Sequence, residues 1–120
     1  MKLCNFNYLK SISPDNPKFV REMIQLFLKN VPLFIDTINT CLTSSDWDGV
    51  QHSAHKIKSH FDCMGIPKDY RDTVKQIEDY AQHQKHLDLI PGLMLKLEGT
   101  IQQAYKELET ELNENIDGAV

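Results

Sequence analysis

One stretch limits what this chain can fold into more than any other. Between about Asp46 and Met64, apolar residues fall at Trp47, Val50, Ala54, Ile57, Phe61 and Met64, at spacings of three and four. That spacing is the seam of an amphipathic helix packing into a bundle, and it does not fit strand alternation. At about 100° per residue, the mean direction of the seam leaves His55 roughly 130° away, so its imidazole faces water. Lys58 lies one turn on, nearer the edge of the seam. Its stem can lie on the bundle while its ammonium reaches toward the histidine. Ser59, also one turn from His55, is on the solvent side, and Asp62 flanks it. A partner can approach such a surface, but wet helix faces often carry His and Lys for solubility alone. Spacing by itself assigns no role.

The same period recurs along the chain. Phe6 to Ile12 reads as a short helix or an extended lead-in, with Phe6, Leu9 and Ile12 inward. Ser13-Pro14-Asp15-Asn16-Pro17 breaks it and starts the next helix. From about Asn16 to Asn30 the inward residues are Phe19, Val20, Met23, Ile24, Phe27 and Leu28. Pro32 removes a backbone donor, and Pro32 to Thr43 then buries Phe34, Ile35, Ile38 and Leu42. The pattern fits two helices and one kinked helix equally well. Ser45 or Asp46 is the N-cap of the central helix, Gly65 closes it, and Pro67 prevents resumption. Lys68 to Gln84 presents Tyr70, Val74, Ile77 and Ala81, with His83, Lys85 and His86 in a solvated loop beyond. Asp88 is the expected cap of a closing helix that tolerates Pro91 in its first turn and runs about six turns from Ile90 to Leu112. Short links between long amphipathic helices make antiparallel neighbours. The expected fold is all-α: an up-down-up-down antiparallel four-helix bundle with one or two additional N-terminal helices. It forms one domain over 1–120, with about 113–120 a polar, frayed tail. With the closing helix used up inside the bundle, a monomer is expected.

Charge and motif content exclude several functions. A net charge of -4 and a pI near 5.7 provide no basic field for a nucleic-acid backbone. No run of eighteen or so apolar residues exists, and the first residues lack a signal-peptide core, so a cytoplasmic protein without a membrane span is expected. Cys4, Cys41 and Cys63 are odd in number and lack C-x-x-C spacing, as free thiols would. The glycines at 49, 65, 92, 99 and 118 form no phosphate loop, no G-x-S-x-G elbow is present, and the glutamates sit on helix surfaces without an evident partner. An ATP-dependent activity is not expected, and an enzyme using His55 as general base lacks a supporting acid. His52 and His55, three apart with Asp48 and Ser59 near, are a weak pair of ligands, so no metal is expected.

A third chemistry suits His55 better. A neutral imidazole nitrogen is a good nucleophile near neutral pH, and it can attack an acyl phosphate on another protein if it protrudes among small neighbours. Lys58 would offset the charge on the transferring oxygens. Ala54-His55-Lys56-Ile57-Lys58-Ser59, with Gly65 ten after the histidine, resembles the histidine-containing phosphotransfer (HPt) domain of His–Asp phosphorelays. The motif of that family reads A-H-x-L-K-G. Phe19 to Leu28 before Pro32 is similar to its leading helix, and Asp46-Trp47 to its entry into the histidine helix. The resemblance implies a four-helix bundle, with His55 phosphorylated through Nε2, Lys58 as the charge-compensating lysine and Gly65 as the helix-closing glycine. It also implies a partner-binding face of His52, Ser59 and Asp62, and as partners response-regulator receiver domains and hybrid sensor kinases. No cofactor is expected on this chain, magnesium being held by the receiver. Ser59 departs from the family glycine, and its hydroxyl can bond a phosphoryl oxygen. His52 and His60 share the helix, but only His55 has lysine three residues on and glycine ten on. The alternative is a helical adaptor that binds a receiver without transfer.

Overall fold

The computed structural model describes residues 2–116, which build five α-helices and no strand. After an extended lead, α1 spans Asn7–Ile12, α2 Pro17–Thr43, α3 Trp47–Cys63, α4 Lys68–His83 and α5 Ile90–Glu111. Helices α2 to α5 are the four of the bundle, and α1 is a single extra N-terminal helix, packed on α2. The molecule is elongated, 47 × 24 × 21 Å. No helix among the described residues is long and apolar enough to cross a membrane.

Helix α2 opens on Asn16, whose side chain accepts the Phe19 N–H at 3.1 Å, with proline in its first turn. It continues through Pro32 as one helix. A proline at 32 offers no N–H to the carbonyl of Leu28, one turn back. The Tyr105 hydroxyl of α5 donates to that carbonyl instead, at 2.7 Å. The gap in the backbone ladder is thus filled from another helix, which is why the chain need not break there.

Asp46 caps α3 by accepting the Gly49 N–H at 3.1 Å. At its far end Gly65 takes φ +64°, the left-handed conformation that closes a helix. A Cβ at Gly65 would also lie 2.7 Å from the side-chain amide of Asn5. Asn5 is held there because its N–H donates to Met64 O at 2.9 Å and its Nδ2 to Gly65 O at 3.3 Å. The lead is fastened on its other side by Glu107 of α5, which accepts the N–H groups of Leu3 and Cys4 at 2.8 and 2.9 Å. Burial alone would push the Glu107 carboxyl up; hydrogen bonds from Cys4, Leu3 and Gln103 outweigh it and hold the group below its ordinary value.

Leu9, Phe27, Ile57, Phe61, Ile77, Leu97 and Leu108 are among the fully buried side chains of one contiguous core. Several expectations fail at element ends. Ile12, expected inward, is exposed, because a six-residue α1 seats only Leu9 in the core. His83 belongs to α4, its Nδ1 2.9 Å from the Asp79 carbonyl oxygen, while Lys85 and His86 lie beyond the helix. Asp88 does not cap α5: the chain enters through a 3-10 turn, Leu87–Leu89, and Leu89 sits at the cap already in right-handed helical conformation. Of the tail expected to fray from residue 113, residues 113–116 follow α5 in a π-helical turn, Leu112–Ile116. Residues 117–120 of that expectation lie outside the described residues.

Candidate functional site

The site grows out of the register between α3 and α4. Their apolar seams, Val50-Ala54-Ile57-Phe61 and Val74-Ile77-Ala81, meet in the core. That contact turns the next residues round each helix toward one another along a shared edge. His55 on α3 meets Glu78 on α4, with Nδ1 and Oε2 2.7 Å apart. Seven residues further along α3 and seven back along α4, Asp62 Oδ1 accepts from Arg71 Nη1 at 3.1 Å. Two rungs spaced equally in opposite directions fix the helices as antiparallel.

Glu78 is the residue that sequence reasoning missed. The glutamates read as surface residues without partners, but Glu78 is nine-tenths buried, its side chain only 10% exposed. One oxygen meets His55, and the other lies 3.3 Å from the Lys58 ammonium. The available signal was its position: Glu78 follows Ile77 and precedes Ala81 by three, inside the apolar stripe of α4. An acid there must find partners across the helix interface. The lysine's ammonium therefore goes to the carboxylate that also holds the histidine, rather than to the imidazole.

Glu78 orders the imidazole. A carboxylate oxygen only accepts hydrogen bonds, so Nδ1 carries the hydrogen and donates it. Nε2 is then the nitrogen with the free lone pair, on a side chain 60% exposed, and no hydrogen bond to it exists among the described residues. His52, Ser59 and Asp62 are exposed along the same stripe of α3. His52 lines a shallow depression with Gln51, His55, Lys56 and Glu78. The Ser59 hydroxyl turns back to donate to the His55 carbonyl at 3.4 Å. Asp62 is held by Arg71, and Gly65 lies below the stripe at the helix end.

His60 points elsewhere. Its ring packs edge-on against Phe27 at 5.9 Å and tilted against Phe34 at 6.0 Å. Burial there lowers its pKa below the ordinary histidine value. The thiols are held in their neutral form. Burial, reinforced by Glu107, pushes Cys4 up to about 12. Burial also raises Cys41 and Cys63, with Asp46 and Asp62 adding to it. None of the three is poised as a nucleophile. No group of three or more His, Cys, Asp or Glu side chains among the described residues is placed to hold a metal ion. What the arrangement offers chemically is one oriented, outward-facing imidazole nitrogen backed by a buried carboxylate and a lysine.

Comparison with known proteins adds two findings. A family model described as Hpt domain matches residues 22–116. The crystal structure of histidine-containing phosphotransfer protein B from Pseudomonas aeruginosa PAO1 is similar, with a TM-score of 0.78 at 17% identity, covering 91% of this chain and 93% of that one. At that identity the likeness is one of fold. No curated protein sequence matches.

Proposed function

The chain belongs to the Hpt domain family, whose work is histidine phosphotransfer in phosphorelay signalling, and on that premise we propose that His55 takes a phosphoryl group from a receiver-domain aspartate and passes it to another receiver. Response-regulator receivers and hybrid sensor kinases are the partners in this reading, and the chain acts as a monomer. The observation that carries it is the 2.7 Å contact of His55 Nδ1 with Glu78, which leaves Nε2 as the accessible nucleophile.

In the forward step the Nε2 lone pair attacks phosphorus, the bond from phosphorus to the aspartyl oxygen breaks, and the aspartate leaves as carboxylate. The imidazole keeps its Nδ1 hydrogen and becomes cationic, and Glu78 lies where it offsets that charge. Lys58, 30% exposed beside Glu78, neutralises the carboxylate at rest and bears on the phosphoryl oxygens as they move. The second receiver reverses the step: its aspartate attacks phosphorus and Nε2 leaves. Magnesium belongs to the receiver in this scheme, since the residues around His55 offer one buried carboxylate already spent on His55 and Lys58.

The test is incubation with a phosphorylated receiver, scored for acid-labile, base-stable label. His55→Gln should abolish labelling, and His52→Gln should leave it largely intact. Label persisting on the His55→Gln protein would refute the site. Tight receiver binding with no label on the wild-type chain would support a non-transferring adaptor.

A further inference from the structure

The second rung of the α3–α4 edge has no part in the chemistry at His55, yet it lies where a receiver must dock. Resting on the phosphotransfer reading above, we infer that the Asp62–Arg71 pair selects among receivers, admitting those that set a carboxylate against Arg71. Asp62 is seven residues from His55 on one exposed stripe, a separation of about 10 Å at about 1.5 Å per residue. A standard interface covers roughly 800 Å² on each partner, a patch of about 16 Å radius. A receiver that brings its aspartyl phosphate to Nε2 therefore covers the pair as well.

Covering the pair removes its water. The side chains of Asp62 and Arg71 are 51% and 41% exposed, so solvent now completes their hydrogen bonding. A charge pair carried into an interface keeps its place only if the partner restores what water supplied. The shortfall here is one of acceptors. A guanidinium has five N–H donors, and among the described residues only Nη1 of Arg71 has an acceptor, Asp62 at 3.1 Å. Its Nε is already buried without one. The neighbouring cation Lys68 does not share the deficit, being paired with Asp72 at 2.8 Å. A carboxylate on the partner meets the guanidinium's geometry. An apolar or basic group there leaves Arg71 desolvated with Asp62 as its one acceptor, which rejects the wrong receiver.

The experiment is single-turnover transfer from a panel of phosphorylated receivers, each titrated to give a half-saturating concentration and a maximal rate. For the favoured receivers, Arg71→Ala should raise the half-saturating concentration about tenfold or more and leave the maximal rate within about twofold. Disfavoured receivers should change little, so the ratio between the two groups narrows. Arg71→Glu should weaken the favoured group further, and Arg71→Lys should retain part of the preference. Lys68→Ala should move nothing. An equal change across all receivers, or a fall in maximal rate at constant half-saturation, would overturn the selective role while leaving transfer at His55 intact. Absence of label on the wild-type chain from every receiver would overturn both readings together.

Discussion

Glu78 divides its two oxygens between His55, at 2.7 Å, and Lys58, at 3.3 Å, so one side chain sets both the tautomer of the imidazole and the place of the lysine. Glu78→Ala removes both functions and should slow transfer by about ten- to a hundredfold, or ~1.4–2.8 kcal/mol of barrier. Glu78→Gln should lose less, because its amide oxygen still accepts from Nδ1, although the charge that pairs with Lys58 and offsets the imidazolium is gone. Nitrogen-15 shifts of His55 check the cause: the Nδ1–H tautomer should dominate in the wild type and in Glu78→Gln, and be lost to a mixture in Glu78→Ala. Slower transfer with an unchanged tautomer would remove Glu78 from its orienting role. His55 and Lys58 were legible in the sequence because their relation is local, three residues on one helix. Glu78 was not, since its partners lie 23 positions away and become neighbours only through the α3–α4 register.

At the scale of the helix, periodicity located α3 and α4 to within a residue or two, and the capping chemistry of Ser45 and Asp46 announced the start of α3, with Asp46 the one that caps it. It failed where the backbone enters a helix gradually, as through Leu87–Leu89, because such an entry has no extended cap residue for Asp88 to be. The α2–α3 contact holds a second device that spacing did not reveal. His60 lies against Phe27 and Phe34, in a depression it shares with Lys56 and Cys63, and burial depresses its pKa. The sign follows from where the proton binds. Above about pH 6.5 the imidazole is neutral folded and unfolded, and it contributes no pH dependence. As pH falls below that value the unfolded chain takes up a proton that the folded protein resists, so stability declines until the folded pKa is passed. Glu107 acts in a lower window, its folded pKa being depressed too, with stabilisation lost as pH falls below the carboxylate range. Thermal unfolding between pH 7.5 and 5.5 should therefore show a fall in midpoint that His60→Leu reduces. An identical fall in that variant would mean that His60 binds its proton equally well in the folded and unfolded chain.

The bundle as a whole is closed by α2 and α5, the first and last of its four helices, and one hydrogen bond explains how α2 tolerates its proline. The sequence marked Pro32 as a stop or a bend because it shows the missing N–H and not its substitute. The Tyr105 hydroxyl on the Leu28 carbonyl, 77 positions away, restores the bond. Tyr105→Phe should then cost about 1–1.5 kcal/mol, the value of a part-buried hydrogen bond whose acceptor is left unpaired. Pro32→Ala returns a backbone donor to Leu28, but it also frees the unfolded chain, an opposing effect of about 0.4–1 kcal/mol. Neither single variant isolates the substitution of one donor for another; the pair does. In the Pro32→Ala background the Leu28 carbonyl has its N–H, so removing the Tyr105 hydroxyl should cost markedly less than it does beside proline. The unfolded-state contribution of Pro32→Ala cancels from the cycle, and the remaining coupling should be on the order of 1 kcal/mol by urea unfolding. Additive effects would show that α2 bridges Pro32 without help from α5, and that the closing contact rests on packing alone.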